Sequence, residues 1–124
     1  MARRDLTGAV DFGYLENFTA GDAQVIEEVL GLFREQAELW LRLLDPAAEA
    51  EAWRDAAHTL KGAALGIGAG ALAEACKTAE FDTSSNAGRR AILLDKVRDA
   101  LDLALADIAA YQHEAALKGL KTPR

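Results

Sequence analysis

Residues 46–67, PAAEAEAWRDAAHTLKGAALGI, decide the fold. Trp53, Ala56, Leu60, Ala64 and Ile67 recur at steps of three and four, the spacing of one buried face of an α-helix. So many alanines on that stripe require a partner helix that packs closely. Pro46 suits a first helical turn, and the pair Asp45-Pro46 stops whatever helix precedes it, because proline disfavours α geometry in the residue before it. Continued backwards, the stripe reaches Glu49, where the helix dipole favours a negative charge and the end is solvated. The core contact therefore starts near Trp53.

Upstream, residues 22–44 place Val25, Ile26, Val29, Leu32, Phe33, Trp40 and Leu44 at the same helical steps, with Thr19 or Asp22 available to cap the first turn. Downstream, residues 69–82 give a shorter helix with Leu72, Cys76 and Ala79 inward, after a break at residues 66–70. Residues 83–88 are a turn-forming cluster. Residues 89–117 carry a last stripe of Leu93, Val97, Leu101, Leu105 or Ala104, and Ile108. Before Ala20, the apolar positions Leu6, Val10, Tyr14, Leu15 and Phe18 suffice for one short capping helix. Short connections between long helices favour antiparallel neighbours. The expected fold is all-α: an antiparallel up-down-up-down four-helix bundle with a short N-terminal accessory helix, residues 1–124 forming one domain.

Composition agrees with a single modest core: 124 residues, 51 % of them hydrophobic. Acidic residues outnumber basic ones by 20 to 14, a formal net charge of -6. Nucleic acid is therefore an unsuitable partner, since counterion release needs clustered lysine and arginine. Cys76, the single cysteine, excludes an intrachain disulfide. Arg3 and Arg4 are followed by no apolar signal segment, and no apolar run is long enough to cross a bilayer. A cytoplasmic protein with no membrane attachment is expected.

With His58 as origin of a wheel turning about 100° per residue, Leu60 and Ile67 lie near 200° and 180°, while Glu51, Asp55, Lys61, Gly62 and Gly66 fall within about 80°. His58 thus points away from the core. A solvated surface histidine is the ordinary alternative to a reactive one. Each glycine inside a helix costs about 1 kcal/mol relative to alanine. On the exposed side, Gly62 and Gly66 leave the imidazole open to a partner, although Gly66 also suits the helix end. Lys61, one turn beyond His58, can reach negative charge placed on the imidazole, or can be a solvated lysine. Leu65 is a candidate apolar contact for a docking protein. His113 has no acidic or histidine cluster in sequence to make a metal site with, and Cys76 reads as a core thiol. Trp40 and Trp53 stand at core spacing.

Ala57-His58-Thr59-Leu60-Lys61-Gly62, followed by Gly68, resembles the His-x-Leu-Lys-Gly signature of histidine-containing phosphotransfer domains. Gly21-Asp22 at the first long helix, and Leu72, Cys76 and Glu80 in the third, are similar to the same family, so the resemblance spans residues 15–108. It implies that His58 accepts a phosphoryl group, Lys61 stabilises the phosphohistidine and Gly62 clears the docking surface. The family often has a polar residue of the third helix near the active imidazole, and Glu80 looks like that position: a carboxylate there can orient the ring, or be a solvated glutamate at a helix end. Ala63 and Ala64 stand where the family often has serine, and Gly66 where asparagine is frequent, which bears on partner choice.

The implied partners are response-regulator receiver domains and a hybrid histidine kinase. A receiver would bring its own aspartate and magnesium, while this chain, as a monomer, binds no cofactor. The sequence has neither a Gly-x-x-x-x-Gly-Lys phosphate loop nor a kinase glycine loop. Autonomous ATP-dependent kinase activity is therefore not expected. Two other roles fit such a bundle: an interaction module that is never phosphorylated, and a phosphoacceptor served directly by a kinase.

Overall fold

The structure, a computed structural model, describes residues 6–121, and its regular elements are five α-helices with no strand among the described residues. They are α1 (Phe12–Phe18), α2 (Ala23–Leu43), α3 (Ala50–Gly66), α4 (Gly70–Glu80) and α5 (Ala87–Lys121). Each long helix packs on the next, α2 on α3, α3 on α4 and α4 on α5, and α5 returns to α2.

Local chemistry explains the boundaries. Asp22 caps α2 by accepting from the amides of Gln24 and Val25 at 3.0 and 3.2 Å, a contact worth about 1 kcal/mol. Thr19 instead ends α1, its hydroxyl donating to the Leu15 carbonyl. The helix expected from Pro46 starts at Ala50. Pro46 lies in a turn held by Asp45, which accepts from the amide of Ala47 on Oδ1 and from that of Ala48 on its carbonyl, both at 2.9 Å. Between α3 and α4, Gly68 has a φ of +78° and its carbonyl accepts from Asp11 N–H. A Cβ there would come within 3.2 Å of Asp11 and Tyr14, so the turn takes only glycine without strain. α5 runs further at both ends than the stripe from Leu93 to Ile108 requires.

The core contains Trp53, Ala56, Leu60, Ala64 and Ile67 of the deciding stripe, with Leu72, Cys76, Ala79, Leu93, Val97, Leu101, Ala104 and Ile108. Of the two alternatives on α5, Ala104 is buried and Leu105 half-buried. α2 departs from expectation. Ile26, Leu30, Phe33 and Ala37 face inward, whereas Val25 and Leu32 are exposed and Val29 and Trp40 half-buried. In the N-terminal segment Val10, Phe12 and Leu15 are buried, while Tyr14 and Phe18 are exposed. Phe12 stacks on Tyr111 of α5 at 4.3 Å. Buried Asp107 of α5 accepts from the amides of Thr7 and Ala9 and from the Thr7 hydroxyl, tying the segment before α1 to the bundle.

Candidate functional site

The site is made where α3 lies against the end of α4. Alanines on both buried faces, Ala56, Ala57 and Ala64 on α3 and Ala73 and Ala79 on α4, let the helices approach closely. Their register is pinned by Trp53, whose indole Nε1 donates to the carbonyl of Ala79 at 2.7 Å inside the core. The residue after that carbonyl is Glu80. A buried tryptophan N–H needs such a partner, so register and packing are specified together.

Glu80 consequently reaches α3 with both carboxylate oxygens. His58 Nδ1 is 2.9 Å from Oε2, and Lys61 Nζ is 2.9 Å from Oε1. The side chains differ sharply in exposure: 66 % for His58, 20 % for Lys61 and 9 % for Glu80. An acid so nearly enclosed is stable as an anion only with partners. Burial raises the Glu80 pKa, but hydrogen bonding and charge from Lys61 and His58 outweigh it and hold the carboxyl below its ordinary value. In a neutral ring, Nδ1–H donates to Glu80 and Nε2 keeps its lone pair toward the exposed side.

Gly62, Leu65 and Gly66 are exposed along the same side of α3. A Cβ at either glycine would meet nothing within 4 Å, so no core contact demands glycine there. Glu51 and Asp55 are likewise exposed. Thus His58 and Lys61 each contact Glu80, while Gly62, Leu65 and Gly66 lie exposed along the same side of α3.

His113 is exposed, and among the described residues no group of three or more histidine, cysteine or acidic side chains could hold a metal ion. Cys76 is buried one turn before Glu80, and burial followed by the Glu80 charge pushes its thiol from 9.0 up to about 12. Two contributors escaped the sequence reading. Phe81, 63 % exposed, places its ring beside Lys61, with Nζ 5.7 Å from the centroid. Its signal was present: Phe81 stands on the opposite side of α4 from Leu72, Cys76 and Ala79. Arg90 is buried, with its guanidinium 5.1 Å over the Trp53 ring and donating to the Ala48 carbonyl. Its signal was in the spacing: Arg90 stands three before Leu93 and seven before Val97, on the buried stripe of α5, whereas Arg89 lies off it.

The family model of the Hpt domain matches residues 20–113. Among solved structures, the chain is similar to the histidine phosphotransferase ShpA from Caulobacter crescentus, with 54 % identity and a TM-score of 0.75. That match covers 92 % of this chain and 100 % of ShpA. No curated protein matches. A site centred on the histidine of the signature, within a match of this extent, leads to one assignment: the chain belongs to the Hpt domain family.

Proposed function

We propose that this two-component phosphorelay carrier receives its phosphoryl group on Nε2 of His58 from the aspartyl phosphate of a receiver domain and passes it to a second receiver. The observation that carries the reading is the Nδ1 contact with Glu80, which leaves Nε2 of a largely exposed ring as the nucleophile. In the forward step the Nε2 lone pair forms the N–P bond. The O–P bond to the receiver's aspartate breaks, and its electron pair leaves with the carboxylate. Lys61 supplies positive charge for the new phosphohistidine, and Glu80 fixes the ring for in-line approach. The reverse sequence of bond changes delivers the group onward.

Receiver domains and kinases are the partners that membership of this family implies, a hybrid histidine kinase being the expected phosphate source. The chain brings no cofactor in this reading; the magnesium belongs to the receiver. Gly62, Leu65 and Gly66 serve as the docking margin, since a receiver must bring its own acidic pocket up to the imidazole. The same reading takes α2 to α5 as an antiparallel up-down-up-down bundle, with α1 accessory and residues 1–124 as one domain. Its support is the ring of helix contacts and the short connections between them. A bundle that closes its own core works as a monomer, and cytoplasmic residence suits it. No described helix is long and apolar enough to cross a membrane.

The test mixes the protein with radiolabelled, aspartyl-phosphorylated receivers and magnesium, with His58→Gln in parallel. Acid-labile, base-stable label on wild type alone is expected. Binding of receivers to both variants with label on neither would replace carriage by a non-phosphorylated interaction role.

A further inference from the structure

Phe81 is out of place by the logic of its own helix. It is the C-cap residue of α4, its amide bonded back to the Lys77 carbonyl, and its ring stands in solvent on the side away from the core. It lines an open groove of about 550 Å³ together with Lys77, Thr78, Asp82 and Arg89. Core packing therefore does not account for a phenylalanine here. What the ring does touch is Lys61, whose ammonium lies over it at a distance where the negative face of an aromatic ring attracts a cation.

Lys61 is thus restrained from two directions, by the Glu80 carboxylate at 2.9 Å and by the Phe81 ring. A lysine is a point charge on a flexible four-carbon stem, and one contact leaves it much freedom. His58 occupies the other oxygen of the same carboxylate, so an ammonium kept on Glu80 stays one carboxylate away from the imidazole. Released from the ring, it would spend more of its time in water.

We propose that Phe81 is a positioning residue for phosphoryl transfer: its ring face holds the Lys61 ammonium against Glu80, within reach of the group carried on His58. The proposal rests on His58 being the phosphoryl acceptor. It assigns Phe81 to the rate of the transfer step and not to the strength of docking.

The experiment measures label transfer across a range of phospho-receiver concentrations for wild type, Phe81→Trp and Phe81→Leu, each also in a Lys61→Ala background. Side-chain proton resonances of Lys61 are recorded on the same proteins. Phe81→Leu keeps apolar area but loses the ring face. It should slow transfer at saturating receiver by about two- to fivefold, the size of an exposed cation–π contact, with the half-saturating concentration unchanged. Phe81→Trp should retain the wild-type rate, and in the Lys61→Ala background Phe81→Leu should change nothing. The Lys61 ε-methylene protons should lie upfield of ordinary positions in wild type, where the ring shields them, and return to ordinary positions in Phe81→Leu. Label on wild type with Phe81→Leu equally fast, or a loss confined to the half-saturating concentration, would overturn this proposal alone. No label on wild type from any receiver would overturn the acceptor reading and this proposal with it.

Discussion

His58 and Lys61 are joined through Glu80, a single carboxylate that serves two cationic or donor partners. Glu80→Gln keeps a carbonyl oxygen for Nδ1–H but removes the charge that holds Lys61. Transfer to the variant should fall about tenfold, the equivalent of one charge-assisted hydrogen bond of roughly 1.5 kcal/mol. The pH dependence follows from the direction of the Glu80 shift. Its folded pKa lies below the ordinary 4.5, so its stabilisation is complete above that value and is lost as pH falls through the lowered one. Acid titration monitored by circular dichroism should therefore show a steeper loss for wild type than for Glu80→Gln below pH 4.5. Parallel acid curves would mean that Glu80 gains nothing from its two partners.

At the scale of the helix, α3 separates a packing face from a working face, and Gly62 shows the separation most clearly. A Cβ at Gly62 has open space around it, so Gly62→Ala should raise the urea midpoint, stabilising by about 0.5–1 kcal/mol. A glycine retained against that gain points to the docking side. Gly62→Gln should fold as well as wild type yet require about tenfold or more phospho-receiver for half-maximal transfer, since side-chain bulk where a receiver must come close works against docking and tenfold is about 1.4 kcal/mol. An unchanged requirement would remove Gly62 from the docking margin. This face was legible in the sequence, because on α3 the alanine stripe and the polar side alternate without ambiguity. α2 was not. Ile26, Leu30, Phe33 and Ala37 repeat with the same period as Val25, Leu32 and Leu39, so two apolar stripes compete. Which one turns inward is decided by α3 and α5, which no local pattern encodes. The meeting of Glu80 with His58 was open for a related reason: it depends on the register of α3 against α4, set by the Trp53 bond to Ala79.

In the whole molecule, the charged site and the dry core share a boundary one helical turn thick, with Cys76 on the inner side and Glu80 on the outer. Burial first and the Glu80 charge second raise the thiol from 9.0 to about 12, with Lys61 opposing. A thiol that stays protonated in the folded chain while it ionises in the unfolded one makes stability depend on pH. Above pH 9.0 the unfolded state binds fewer protons than the folded state, so stability falls as pH rises and goes on falling until the folded pKa is reached. By pH 11 the loss from this one group should amount to about 2–3 kcal/mol. Lysines and tyrosines also titrate in this range, so the measurement must isolate the thiol. Denaturant unfolding of wild type and Cys76→Ala at pH 8, 9, 10 and 11 does so, because the other groups are common to both. Wild type should be the more stable at pH 8, where the alanine leaves a small cavity, and its advantage should shrink with each step and then reverse. A difference that stays constant from pH 8 to 11 would mean that the thiol ionises alike in both states, and that the layer beneath Glu80 is wetter than its packing indicates.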